Sequence, residues 1–459
     1  MSKDTTSTTS SPAATGATRR LGRFISELRF EQLPQPVVAE AVRASINLLG
    51  CSINGALHES VGMVLAGLGP FGGPPQATVP GLARRADCLL TALASGIASH
   101  VGDFDDTHPD ILVHPSGPVI SALLPLAEMR GASGADFITA FVAGVEVECR
   151  VARAVHPAHY DAGWHITGTA GIFGAAAACA RLLGLDESRS AWALGIAATQ
   201  SAGIREMFGS MCKSLHVGRA AQGGLTAALL AQQGFTSADA AIEGLRGFIH
   251  VLSSVAHPEA LTAGLNTEWE LLRNTYKLYA CGLVIHPALD GCIQLRNQHQ
   301  LTAADIARIE LQVHPLALEL TGKPSPRSGL EGKFSIFHAA AVGIIDGAGG
   351  EQQFSDARVR SADAIALRGK VTARVEPGVG MEQAVVTIHT TGGQRHEVRI
   401  EHCAGSLERP LSDAELDAKF LGLAEPAIGA RAAAALAALR GLPVAGNCAD
   451  VAALCGAVA

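Results

Sequence analysis

Ala384-Val-Val-Thr-Ile-His389, then Thr391-Gly-Gly-Gln394, then His396-Glu-Val-Arg-Ile400 is the stretch that decides how this chain is built. Apolar and polar residues alternate on both sides of a glycine pair, and a period of two flanking such a turn is the pattern of a β-hairpin. Working outward, Ile309-Glu-Leu-Gln-Val-His314 and Val371-Thr-Ala-Arg-Val375 alternate in the same way. The segments 283–298 and 333–346 between them have helical spacing. Residues 275–401 therefore read as a small α+β domain.

On either side of that domain the chain is helical. Leu33-Pro34-Gln35-Pro36 opens a helix with proline in its first turn, and Val38, Val42, Ile46 and Leu49 form its apolar stripe. Further helices are expected at 88–101, 117–129, 134–155, 167–184, 187–203, 215–233 and 236–248. Gly184, Gly234 and Gly244 stand as stops. After 402 helices return: Ser412-Asp-Ala-Glu415 is a capping box, and 428–440 is rich in alanine. The fold expected is mainly α, a discontinuous all-helical domain (21–274 and 402–459) carrying a smaller α+β lid domain (275–401). Residues 1–20, rich in Ser and Thr and ending in Arg19-Arg20, read as a disordered tail.

Composition excludes several function classes. A net charge of -7 argues against a nucleic-acid surface. No run of 18 or more apolar residues lacks a polar break, so no membrane span is expected. Neither a dinucleotide-binding glycine fingerprint nor a P-loop occurs, so neither a dinucleotide nor ATP is expected. The ten cysteines are scattered without a CxxC pair, which fits free thiols in a reducing cytoplasm.

Only 17% of the residues are charged, yet His100-Val-Gly-Asp-Phe-Asp-Asp-Thr-His-Pro-Asp and His114-Pro-Ser-Gly concentrate histidine and aspartate. Such groups are costly to bury unpaired, so their density points to proton transfer, a metal or a charged substrate. The spacing matches no metal motif, and a solvated acidic loop is the plainer alternative. Gly163-Trp-His-Ile-Thr167 leads into a glycine-rich helix. Thr167 is its expected N-cap, with His165 at a helix mouth that suits a carboxylate; close helix packing is the other use of those glycines. Lys213 and His216 share one helix face. If buried, Lys213 needs an anion; otherwise it is a surface lysine. Lys277, Tyr279 and His286 stand where the second domain begins, with a packing role as the alternative.

Taken in order, these segments resemble the MmgE/PrpD family: Asp103-Phe-Asp-Asp-Thr107, His114-Pro-Ser-Gly, Gly163-Trp-His, Gly171-Ile-Phe-Gly174, Lys213-Ser-Leu-His-Val-Gly-Arg-Ala-Ala221, Gly234-Phe-Thr, Glu243-Gly-Leu-Arg-Gly-Phe248, Lys277, His286-Pro-Ala, Lys333-Phe-Ser335, Pro410-Leu-Ser and Lys419-Phe420. That family includes 2-methylcitrate dehydratases, cis-aconitate decarboxylases and iminodisuccinate epimerases. The resemblance implies a homodimer with no metal and no cofactor. It implies site residues at Asp103, Thr107, His114, His165 and Lys213. Two positions depart: Gly282 stands where the decarboxylase has a site His, and His338 where it has a site Tyr. Asn47 replaces an aspartate usual in the family.

The expectation is a cofactor-independent lyase acting on a small di- or tricarboxylic acid, with a 2-methylcitrate dehydratase-like elimination placed first. An epimerase or decarboxylase of the same fold comes second. A non-catalytic carboxylate-binding protein is the alternative of another class, and intact Asp103, His114, His165 and Lys213 speak against it. His114 or His165 is expected to move the proton, with Asp103 orienting it and Lys213 anchoring a carboxylate. Thr107, His216, Lys277, His286 and His338 are expected around the substrate.

Overall fold

The computed structural model describes residues 16–458. Its helices of eight residues or more are α1 (Ala17–Glu27), α2 (Gln35–Gly55), α3 (Glu59–Leu68), α4 (Cys88–Val101), α5 (Ser116–Arg130), α6 (Gly134–Val155), α7 (Ile166–Leu182), α8 (Glu187–Ala198), α9 (Met211–Gln232), α10 (His286–His299), α11 (Ile336–Ile345), α12 (Asp413–Ile428), α13 (Arg431–Arg440) and α14 (Cys448–Cys455). A mixed sheet joins β1 (Ile306–Val313), β2 (Val371–Val375), β3 (Ala384–Thr390) and β4 (Arg395–Ile400) in the order β2-β1-β3-β4. The hairpin pairs Ala384 with Ile400 and His389 with Arg395. β1 runs parallel to β2 and antiparallel to β3.

Local chemistry explains these elements. Asp87 starts α4 by accepting from the N–H groups of Leu89 and Leu90. Ser412 and Glu415 cap α12 reciprocally. In β1, Ile309, Leu311 and Val313 alternate inward, and with Val386 and Ile388 of β3 they share one core with α10 and α11. The larger core is helical and takes in both ends of the chain: Leu416, Phe420, Leu439 and Val451 pack in the same cluster as Ile46, Phe141 and Ile172. Lys419 of α12 ties these parts together. Its ammonium donates to Asn47 Oδ1 (2.7 Å) and to the carbonyls of Phe104 and Lys277 (both 2.8 Å). Asn47 thus serves as a neutral acceptor for a half-buried cation.

The structure corrects two segments. α1 begins at Ala17, inside the stretch read as a tail, because Leu21, Phe24 and Ile25 join the core and Thr18 bonds Glu243; residues 1–15 lie outside the described residues. No helix forms over 236–248. There Gly247 N–H donates to Gly244 O at 2.7 Å, folding the chain into turns before a short helix at Phe248–Val251. Among the described residues one helix, Gln35–Gly55, is long and apolar enough to cross a membrane by length and composition, and 72% of its most apolar window is buried inside the protein.

The crossing of α4 and α9 positions the polar cluster. A Cβ added at Gly96 would stand 2.6 Å from Gly218 Cα, and one at Gly218 would stand 2.5 Å from Leu93 O. Both distances are shorter than van der Waals contact, so only glycine lets these backbones approach. This closeness brings His100, at the end of α4, to Lys213, in the first turn of α9. Gly96→Ala is therefore expected to destabilise the fold by about 1–3 kcal/mol through overpacking. A urea unfolding midpoint equal to wild type would remove this account of the crossing.

Candidate active site

A cavity of about 510 Å³, its open mouth included, lies at the junction of the helical and α+β parts. Asp103, Thr107, His114, His165, Lys213 and Lys277 form one part of its wall. Leu112, Tyr160, Phe208, Leu283, Val284, Leu320 and Phe334 form most of the rest.

Hydrogen bonds bind the polar part into one chain. Lys213 Nζ donates to Asp103 Oδ1 at 2.6 Å and lies 2.8 Å from His100 Nε2. His100 Nδ1 in turn lies 2.7 Å from Asp105 Oδ2. A carboxylate only accepts, so His100 carries its proton on Nδ1 and takes Lys213's N–H on Nε2. Lys277 Nζ donates to Asp103 O at 3.0 Å and lies 3.3 Å from Asp103 Oδ1. Two ammonium groups thus converge on one carboxylate, and all three side chains are buried.

The two candidate histidines are placed differently. His114 Nδ1 is 2.9 Å from the Asp106 carbonyl, 3.3 Å from Thr107 Oγ1 and 3.5 Å from Asp105 Oδ1. The carbonyl only accepts, so Nδ1 bears the proton and, among the described residues, the Nε2 lone pair is left without a partner. His165 Nδ1 lies 3.0 Å from His216 Nδ1, and one of that pair carries the shared proton. His165 is itself the N-cap residue of α7, so Thr167 is not the cap expected from its type. Thr167 sits in the first turn, and its hydroxyl accepts the backbone N–H of His114 at 3.2 Å.

Electrostatics follow from burial. Burial and then Lys213 push His165 well below the ordinary imidazole value; burial likewise lowers His114 far more than Asp105 raises it. Both rings are neutral near pH 7. Burial lowers Lys213, against the opposing pull of Asp103. Burial alone would raise Asp103, but Lys213 and Lys277 hold it well below the usual carboxylate range. Neighbouring aspartates diverge. Burial would raise Asp105, yet His100 and His114 keep it low and ionised. Burial drives Asp106 up to about 7, while Ser116 and Asn274 both donate to its Oδ2.

His100, Asp105 and His114 present atoms within 4.8 Å of one another, which a metal could in principle share. Those donors are already committed to the bonds above, and an ammonium stands 2.8 Å from His100. The set fits a hydrogen-bonded relay better than a cation site.

The structure brings Asp103, Thr107, His114, His165, Lys213 and Lys277 to the cavity. His216 stands behind His165, pushed down to about 4 by burial. His286 and His338 are not brought there. His286 packs edge-on to Tyr279, ring centroids 5.2 Å apart. His338 lies in the first turn of α11, its Nε2 2.9 Å from Gln353 O and its ring against Phe354. Gly282 does line the cavity. His100 and Asp105 were visible in the dense segment but had no assigned role, because nothing in spacing tells a relay from a neighbour. The apolar wall carried no sequence signal.

Two lining residues, Asp103 (φ 49°) and Leu112 (φ 55°), hold the left-handed conformation. A short polar side chain tolerates it; a leucine there stores about 1–3 kcal/mol of strain. The surrounding fold imposes both.

Residues 19–261 match the MmgE/PrpD N-terminal domain and residues 279–440 the MmgE/PrpD C-terminal domain. The chain belongs to the MmgE/PrpD family. The family's C-terminal domain, as matched, includes α12 and α13, whose apolar side chains nevertheless pack in the helical core. A cis-aconitate decarboxylase of Aspergillus terreus is 25% identical over 358 residues, covering 73% of each chain. The Homo sapiens cis-aconitate decarboxylase is 26% identical over 421 residues, 88% of this chain and 86% of that one. At the level of the MmgE/PrpD family this is a carboxylate-acting enzyme of the lyase kind.

The contrast between adjacent carboxyls gives a test. At pH 6, below the Asp106 value of about 7, that group is neutral, and Asp106→Asn should keep turnover near wild type. Asp105→Asn removes an ionised partner of two imidazoles and should cut kcat/KM by about 10²-fold, the scale of losing an orienting hydrogen bond. Equal losses in the two variants would show that their ionisation states do not differ.

Proposed function

We propose that the chain is a cofactor-independent lyase that removes a proton from carbon beside a carboxylate and eliminates water, in the manner of a 2-methylcitrate dehydratase. One observation carries this reading: His114 is pinned through Nδ1 and presents a free Nε2 base to a cavity holding two ammonium groups. Lys213 and Lys277 face the substrate carboxylate and balance the charge that grows on it as the proton leaves. His114 Nε2 takes that proton. Lys213 also protonates the departing hydroxyl, since burial makes it a stronger acid, and regains a proton through solvent as His114 gives up the one it took; His100, backed by Asp105, accepts an N–H of Lys213 and orients it.

Decarboxylation is the second reading, favoured by the names of the relatives. It uses the same acid to protonate carbon but does not require a base. Incubation with candidate acids, followed by mass detection of products, separates loss of water from loss of CO₂. A homodimer is proposed on the strength of the family resemblance alone; sedimentation at one chain per particle would remove it.

Lys213→Ala should lower turnover by about 10²-fold or more, the effect of losing one electrostatic stabiliser. Turnover near wild type would take Lys213 out of the mechanism. His114→Gln should lose solvent-deuterium exchange at the substrate carbon under conditions where wild type exchanges. Exchange at the wild-type rate would pass the base role to His165.

A further inference from the structure

We infer that Glu382, His402 and Glu408 form a binding site for one divalent transition-metal ion, outside the polar cavity, that fastens the open end of the β3–β4 hairpin. The ion is structural and takes no part in the reaction proposed above.

The hairpin's own register builds most of the site. Ala384 of β3 stands opposite Ile400 of β4. Two residues further out on each strand, the same register sets Glu382 opposite His402. The chain then turns back, with Gly405 N–H donating to Arg409 O at 2.8 Å, and this turn returns Glu408 to the pair. His402 Nδ1 lies 3.6 Å from Glu408 Oε2, and one donor atom from each of the three residues lies within 4.8 Å of the others. Ligands bonded to one ion at about 2.0–2.2 Å are at most about 4.4 Å apart. His402 and Glu408 are exposed, so a small side-chain rotation closes the difference.

Charge shows what the cluster lacks. It lies in a second cleft, which adjoins the cavity across Leu112 and Tyr160, residues that line both. Asp110, Asp161 and Glu401 line the cleft as well, with Arg273 as its one arginine. The nearby guanidinium groups are already taken: Arg273 by Asp110 at 2.6 Å, Arg399 by Glu401 at 2.6 Å and Arg409 by Asp290 at 3.0 Å. Among the described residues no lysine or arginine pairs with Glu382 or Glu408. Two carboxylates thus converge with an imidazole as their counter-group, and burial followed by Glu408 pushes the Glu382 carboxyl above its ordinary range. A divalent ion supplies the missing positive charge and displaces the proton.

Donor type selects the ion. One imidazole and two carboxylates suit Mn²⁺, Fe²⁺ or Zn²⁺, whereas Mg²⁺ and Ca²⁺ favour all-oxygen shells. The exposed side of the cluster leaves positions for water. A bound ion joins the segment before β3 to the segment that leads into α12, next to the cavity mouth.

Electron paramagnetic resonance of the intact, chelator-washed protein, with Mn²⁺ alone as the probe, tests this. The signal of free Mn²⁺ should show one ion bound per chain. Glu382→Gln/Glu408→Gln and His402→Gln should each bind it at least about tenfold more weakly, since even a residue that merely supports a ligand is worth about 10–100-fold. In chelator the double variant should melt no lower than wild type, because unpaired carboxylates repel; Mn²⁺ should raise the melting temperature of wild type and not that of the double variant. Absence of Mn²⁺ binding to wild type, or wild-type affinity in the double variant, would overturn the inference. Wild-type affinity in His402→Gln would overturn it too, by reducing the site to an ordinary acidic patch.

Discussion

An ammonium group buried in protein must find a carboxylate, and Lys213 finds Asp103 at 2.6 Å. Much of this molecule is arranged to make that contact tolerable. Removing either partner would leave an uncompensated charge on a buried side chain, so the pair is costly to break even where its net contribution is small. Asp103 must adopt a left-handed backbone to reach inward. Lys277 shares its carboxylate, and His100 with Asp105 occupies a further donor of Lys213. A charged cluster that would be unstable as isolated pairs becomes a satisfied network, with its remaining capacity directed at the cavity.

The same network separates two histidines that look interchangeable as sequence. His114 is fixed by an oxygen that can only accept, so that hydrogen bond sets its tautomer. His165 faces another imidazole, and its tautomer is shared. Thr167 connects the two, binding the backbone of His114 to the first turn of the helix that His165 caps. The two histidines are therefore held by one element.

What could be read in advance follows physical lines. The hairpin at 384–400 and the helices at 88–101 and 134–155 announce themselves because periodicity and punctuation agree there. Asp103, Thr107, His114, His165, Lys213 and Lys277 were legible because polar groups stand out in an apolar chain. His286 and His338 stand out equally, but their rings pack against Tyr279 and Phe354 away from the cavity, and residue type alone cannot show that. The helix expected over 236–248 failed because Gly244 and Gly247 allowed the chain to turn back on itself. Phe208, Leu320 and Val284 gave no signal, since an apolar residue on a cavity wall looks the same as one in a core.

Lys419 adds a matter of timing. Its ammonium holds the carbonyls of Phe104 and Lys277, which flank the two halves of the polar cluster, yet it belongs to α12 near the end of the chain. Synthesis delivers the N-terminal helices first, and they can begin to pack as they emerge. The clasp that sets Asp103 against Lys277 arrives only after the α+β domain has been made. A ribosome-bound chain that stops short of α12 thus holds every residue of the polar wall while lacking the part that clasps its two halves together.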